Sequence, residues 1–152
     1  MTHLKPGDIA PGFSYKNQKG EIISLEDFKG SKLILYFYPK DNTPGCTAEA
    51  CNLRDNFQIL KDKGFKIIGV SPDNETAHSK FISKHDLPFE LIPDTDKKIL
   101  KDYGVWGEKK MFGKINIGAI RKTFIIDETG KIEKIFNKVQ TKDHAQQILN
   151  EY

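Results

Sequence analysis

The chain has 152 residues, 38% of them hydrophobic and 30% charged, with 10 Phe, 5 Tyr and 1 Trp. That is enough apolar and aromatic material for one domain spanning residues 1–152, and it excludes wholesale disorder. Lys and Arg (24) against Asp and Glu (21) leave a net charge of +3, and mixed runs such as Lys61-Asp62-Lys63 read as a solvated surface rather than a nucleic-acid footprint.

The opening residues Met1 to Asp8 lack the apolar core of a signal peptide, and no run of about 18 apolar residues follows. The expectation is therefore a cytoplasmic chain with no membrane or nucleic-acid partner. Two cysteines cannot build a disulfide framework. In a reducing compartment, paired cysteines are more often redox-active or metal-binding than structural.

No internal repeat, low-complexity tract or linker divides the chain. Residues 13–25 predict an N-terminal β-hairpin turning around Asn17-Gln18-Lys19-Gly20. Ser24 to Phe28 has the pattern of a capped helical turn. Leu33 to Tyr38 is a short continuous apolar run ended by Pro39, which predicts a central strand. Cys46, Ala50, Leu53, Phe57 and Leu60 then recur at helical spacing, predicting one helix that Gly64 stops. Phe65 to Val70 reads as a strand, Asn74 to His85 as a helix, Phe89 to Ile92 as a strand and Asp94 to Tyr103 as a helix. The segment 104–118 holds four of the 12 glycines and no clean period, so it is expected to be a long ordered loop. Thr123 to Ile126 and Ile132 to Phe136 flank Asp127-Glu128-Thr129-Gly130 as a hairpin, and residues 141–152 predict a closing helix. Strands alternating with helices, then a hairpin and helix, indicate an α/β fold with a central mixed β-sheet flanked by helices. A thioredoxin-like fold fits this order, as do other small α/β folds.

The stretch from Pro39 to Cys51 lies between a buried strand and an amphipathic helix, where α/β folds place ligand sites. Thr43 reads as an N-cap and Pro44 as the first helical residue. Cys46 then falls in the first turn, where unpaired amides and the helix dipole favour a thiolate, the nucleophilic form. Taken alone, Cys46 on the apolar stripe reads equally as a small core hydrophobe, and Thr43 as nothing more than a cap. Cys51 changes the balance. Five helical residues rise about 7.5 Å and turn about 500°, which separates the two Cα atoms by roughly 8–9 Å. A disulfide needs roughly 4.4–6.8 Å. The thiols cannot bond while the helix is intact, yet they can once its first turn unwinds.

Pro39-x-x-x-Thr43-x-x-Cys46 resembles the active-site signature of peroxiredoxins. The string Thr43-Pro-Gly-Cys-Thr-Ala-Glu-Ala-Cys51 is similar to the bacterioferritin comigratory protein and peroxiredoxin Q branch, the atypical two-cysteine type. The likeness extends to Gly7-Asp8-x-Ala10-Pro11-x-Phe13, Gly104-Val105-Trp106-Gly107-Glu108-Lys109 and Arg121-x-Thr123-Phe124-Ile125-Ile126-Asp127. It implies a thiol-specific peroxidase on a thioredoxin-like fold that needs no cofactor and no metal. By the same resemblance, Cys46 attacks a hydroperoxide and becomes a sulfenic acid, and Cys51 resolves it as an intramolecular disulfide. Thioredoxin, or glutaredoxin, would reduce that disulfide by exchange. Thr43 matches the hydroxyl that holds thiolate and peroxide together, Pro39 the residue that shields the pocket, and Arg121 the cation that stabilises negative charge. Arg121 is one of only two arginines among 24 basic residues.

Glu49 is a candidate to orient Arg121 from the helix, and Arg54 a surface partner of Asp55 or Glu49. With no cysteine after residue 51, the intersubunit disulfide of typical two-cysteine relatives is not available, and members of this branch are often monomers, which is the expectation here. Two other readings compete. One is a redox-switched binding or chaperone protein that uses the same disulfide without turnover. The other is a metal site of Cys46, Cys51 and histidines, although His3, His78, His85 and His144 lack ligand spacing and are expected at the surface.

Overall fold

The structure, a computed structural model, describes residues 2–17 and 20–152. The predicted N-terminal hairpin is present: β1 (Ser14–Lys16) pairs antiparallel with β2 (Ile22–Ser24). Its predicted turn residues Gln18 and Lys19 lie outside the described residues. A 3-10 turn over Leu25–Phe28 follows, and Asp27 accepts the Ser24 backbone N–H at 2.9 Å. The remaining strands are β3 (Lys32–Phe37), β4 (Phe65–Ser71), β5 (Glu90–Pro93), β6 (Trp106–Met111), β7 (Lys114–Ala119), β8 (Lys122–Ile126) and β9 (Ile132–Phe136). The helices are α1 (Pro44–Asp55), α2 (Phe57–Asp62), α3 (Glu75–His85), α4 (Lys98–Asp102) and α5 (His144–Leu149).

The central sheet has the order β5-β4-β3-β8-β9. The strands β3, β4 and β5 run parallel, while β8 and β9 are antiparallel additions. The apolar run of β3 is continuous because both of its faces are buried. Leu33, Leu35 and Phe37 face a core with Ile68, Val70, Leu100, Tyr103 and Phe124. The alternate residues Ile34, Tyr36 and Tyr38 face a second core with Cys46, Ala50, Leu53, Phe81, Ala145 and Ile148. The period-two alternation of one strand thus decides which layer receives α1 and its cysteine. This is the thioredoxin-like arrangement, with the mixed sheet flanked by helices.

Four predicted elements are revised. The single helix expected from Cys46 to Leu60 is broken at Asn56 (φ −107°, ψ 13°). There the Asn56 side chain donates to the Asn52 carbonyl at 2.9 Å, while its oxygen accepts from Gln146 at 3.1 Å; an asparagine that competes for helix carbonyls ends the helix. The loop expected over residues 104–118 is instead the β6–β7 hairpin. It turns on Phe112 and Gly113, both at positive φ (51° and 75°), as a tight two-residue hairpin requires. Its outer residues Ile115 and Ile117 are exposed, so no buried alternation marked it in the sequence. The helices at residues 94–103 and 141–152 are shorter than expected. Asp94 spends its carboxylate on the amides of Ile99 and Leu100 and so marks the start of α4. Gln147 reaches back to the Gln140 amide, which keeps the chain before α5 in a turn. Among the described residues, no helix is long and apolar enough to cross a membrane.

Candidate active site

The chain leaves β3 through Tyr38 and Pro39 and turns into α1. Asn42 adopts a left-handed conformation (φ 61°), and Thr43 follows in an extended N-cap conformation with Pro44 at the first helical position. Position and chemistry separate at Thr43. Its hydroxyl donates to the Lys40 carbonyl at 2.9 Å rather than accepting a helix amide, so the expected side-chain cap is absent and the oxygen belongs to the turn. Pro39 is half-buried at the start of that turn.

The turn is fastened from beneath. Tyr38 donates its hydroxyl to Asp41 Oδ1 at 2.6 Å, and Asp41 Oδ2 lies 2.7 Å from His78 Nδ1. His78 Nε2 meets the Ile92 carbonyl at 3.0 Å, and Asp73 Oδ2 accepts both the Asp41 amide at 2.8 Å and the Ser71 hydroxyl at 2.7 Å. Strands β4 and β5 and helix α3 thereby hold the segment that precedes Cys46. The sequence reading placed His78 and His144 at the surface, yet they are 2% and 0% exposed. Each is buried because its two ring nitrogens find partners, which sequence spacing does not reveal. Asp41, Asp73 and His78 bring potential ligand atoms within 4.8 Å of one another, and hydrogen bonds already link these groups.

Cys46 is 1% exposed. The first backbone bond at this end of α1 runs from Thr47 N to Thr43 O, which leaves the Gly45 and Cys46 amides without a carbonyl inside the helix. Arg121, between β7 and β8, directs Nη2 at Cys46 Sγ from 3.3 Å and Nη1 at Glu49 Oε1 from 2.7 Å. One guanidinium therefore spans the sulfur and a fully buried carboxylate one turn further along the same helix. Gly45 makes room for it, since a Cβ there would stand 3.2 Å from Nη2.

The electrostatics follow from burial. Desolvation pushes the Glu49 carboxyl up to about 7, although Arg121 pulls it the other way. Burial alone would lower Arg121, but the charges of Cys46 and Glu49 more than offset it and hold the guanidinium above its ordinary value. Lys109 of β6 stands in the same field. Burial lowers it, Arg121 lowers it further and Cys46 opposes both, so the revised hairpin brings a second cation toward the sulfur. His144 is lowered to about 4, chiefly by burial. Its Nδ1 faces the Gln147 side-chain oxygen at 2.9 Å and its Nε2 the Thr123 hydroxyl at 2.8 Å, so the neutral ring satisfies both partners. Glu49 Oε2, 3.8 Å from that ring, has no hydrogen-bond partner among the described residues.

Cys51 is half-buried, and both cysteines are free. Its sulfur lies 3.8 Å from His85 Nδ1 at the end of α3. Arg54 pairs with Asp55 at 2.9 Å and donates to the His85 carbonyl at 2.7 Å, so of its two expected partners Asp55 is the one it meets. Two cavities, of about 450 and 370 Å³, lie elsewhere, against α3 and β5 and against α2 and β4. Neither is lined by Cys46 or Arg121. Of the residues expected at the site, Cys46, Arg121 and Glu49 are in direct contact, Thr43 and Pro39 form the adjoining turn, and Cys51 stands apart beside α3. Lys109 stood only within the 104–109 motif, and His85, expected at the surface, is half-buried beside Cys51; neither has a sequence spacing that links it to a cysteine.

A buried cysteine at the start of the helix after the central strand of a thioredoxin-like sheet, faced by a carboxylate-anchored arginine, defines a thiol peroxidase of the peroxiredoxin class. The chain belongs to the AhpC/TSA family, whose model matches residues 6–135, and its relatives place it in the peroxiredoxin Q and bacterioferritin comigratory protein branch. It is 46% identical over 150 residues to Peroxiredoxin Bcp of Escherichia coli strain K12, covering 99% of this chain and 96% of that one. It is likewise 46% identical over 146 residues to Peroxiredoxin Bcp of Bacillus subtilis strain 168, covering 96% and 93%. Among solved structures, it matches a cysteine-to-serine mutant of PrxQ from Xylella fastidiosa with a TM-score of 0.90 at 30% identity, covering 99% and 96%. The bacterioferritin comigratory protein of Xanthomonas campestris, studied for its alkyl peroxide reduction activity, matches with a TM-score of 0.85 at 32% identity, covering 96% and 89%.

Proposed function

We propose that this peroxidase, acting as a single-domain monomer in the cytoplasm, reduces hydrogen peroxide and organic hydroperoxides through Cys46 and is recycled by thioredoxin or glutaredoxin. The observation that carries the reading is the 3.3 Å approach of Arg121 Nη2 to Cys46 Sγ, fixed by the bond from Nη1 to Glu49. A permanent cation held against a sulfur at a helix start stabilises the thiolate and the negative charge that develops on the peroxide oxygen. The Cys46 thiolate attacks the terminal peroxide oxygen, the O–O bond breaks, and the departing alkoxide or hydroxide takes a proton from solvent to leave as alcohol or water. Cys46 is then a sulfenic acid. Pro39 shields the sulfur from water, and the Thr43 hydroxyl, which donates to the Lys40 carbonyl, accepts a hydrogen bond from the bound peroxide. The alkyl peroxide activity of the Xanthomonas relative supports organic hydroperoxides as a substrate class.

Cys51 condenses with the sulfenic acid, giving a disulfide and water once the first turn of α1 unwinds. A dithiol reductant returns both thiols by exchange. The test is intact mass spectrometry after one equivalent of peroxide, joined to a coupled assay of NADPH consumption with thioredoxin. Loss of two hydrogens mapped to residues 46 and 51, with turnover over many equivalents, supports the reading. Consumption that stops after one equivalent identifies a switch instead, and full activity in Cys46→Ser refutes the assignment of the nucleophile.

A further inference from the structure

The resolving step joins two sulfurs, and the surroundings of Cys46 account for only one of them. Cys51 Sγ lies 3.8 Å from His85 Nδ1, within reach of a sulfur hydrogen bond. The other ring nitrogen, Nε2, is buried and has no hydrogen-bond partner among the described residues. The imidazole thus makes its one polar contact with the resolving sulfur. It is held there from both sides: the Phe81 ring packs edge-on at 5.1 Å between centroids, and Arg54 of α1 binds the His85 carbonyl at 2.7 Å. Arg54 of α1 feels the charges of Asp55, Cys51 and Asp86.

We infer that His85 is a catalytic residue of the resolving half-reaction, acting as general base toward the Cys51 thiol and then as general acid toward the departing hydroxide. This rests on the reading that Cys51 resolves Cys46. His85 Nδ1 accepts the Cys51 proton, and the thiolate attacks the Cys46 sulfenyl sulfur. The S–O bond breaks as the S–S bond forms, and the imidazolium returns its proton to the leaving hydroxide as water. One sulfenic acid and one thiol therefore become one disulfide and one water, with the imidazole regenerated. The tether of α1 to α3 through Arg54 also decides which sulfur travels. Cys51 stays beside its base, and the first turn around Cys46 unwinds to meet it.

The experiment is rapid mixing of reduced protein with one equivalent of hydrogen peroxide, with sulfenic acid and disulfide quantified by mass spectrometry after trapping, in the wild-type chain, His85→Gln, His85→Ala and Cys51→Ser. Sulfenic acid should form at the wild-type rate in the His85 variants, while disulfide formation slows about tenfold near neutral pH. Without the base, the second rate should depend more steeply on pH than in the wild-type chain, and added imidazole should restore the rate in His85→Ala. A purely structural role would move neither the pH profile nor the imidazole response. Wild-type disulfide rates and pH profiles in both His85 variants overturn the inference and leave the role of Cys51 intact. Failure of the wild-type chain to form the 46–51 disulfide overturns the underlying reading instead.

Discussion

Cys46 and Cys51 lie five residues apart on one helix, yet their surroundings differ in kind. Cys46 is 1% exposed in the second core, with Arg121 at 3.3 Å and Glu49 fixing that arginine. Cys51 is half-buried at the edge of the same layer, with a histidine at 3.8 Å and no arginine hydrogen-bonded to its sulfur among the described residues. A fixed cation cannot accept a proton but stabilises negative charge throughout a reaction, whereas an imidazole can take a proton and return it. On the proposed function, the contrast divides the labour: the first sulfur is prepared to attack peroxide, the second to lose a proton on demand.

The largest test of this contrast exchanges each sulfur for oxygen. Cys46→Ser should lower peroxide consumption by about 10³-fold or more. Cys51→Ser should react once with peroxide at an undiminished rate and then stop, as read by single-turnover kinetics against the coupled assay. Next in size is the cation. Arg121→Met should slow the peroxide step about 10²-fold. Arg121→Lys should recover only part of that loss, since one ammonium cannot hold Glu49 and the sulfur in the same forked geometry. Gly45→Ala should act through Arg121 alone, because its new Cβ would press on Nη2 from 3.2 Å. A few-fold slower peroxide step is expected, on the order of 1 kcal/mol or less, with the His85-dependent step unchanged.

The sharpest effect on stability concerns the buried acid and its histidine neighbour. Glu49 is raised from 4.5 to about 7 in the fold, so its contribution is full at low pH and is lost as pH rises through that window. His144 is lowered from 6.5 to about 4, so its contribution is full at high pH and is lost as pH falls. Each is worth on the order of 3 kcal/mol, and between about pH 4.5 and 6.5 the two slopes oppose one another. Denaturant titrations of the wild-type chain should therefore be nearly flat across that interval. Glu49→Gln should leave a stability that climbs with pH, and His144→Gln one that declines; parallel curves for all three would disprove the opposing shifts.

Much of the fold was legible because its strands are short apolar runs bounded by turn residues, and a run such as Leu33 to Tyr38 has no stable place except between two layers. The β6–β7 hairpin was not legible. Ile115 and Ile117 face solvent, so periodicity carried no burial signal, and only the Phe112-Gly113 turn could have betrayed it. The break at Asn56 was equally hidden, because the apolar stripe continues through it and the competing bonds come from its own side chain and from Gln146 of α5.

By itself, the order of residues determined a cysteine at a helix start, a second cysteine beyond bonding range along the same helix, and the strand that precedes them, since spacing along one element follows from helix and strand geometry. Only the tertiary structure decided which side chains meet those sulfurs. Arg121 comes 75 residues after Cys46 and His85 comes 34 residues after Cys51, and contacts at such separations depend on how sheet and helices pack rather than on any local period. The same packing buries Glu49, because one turn of α1 faces the core and the cation it anchors, Arg121, arrives from the link between β7 and β8.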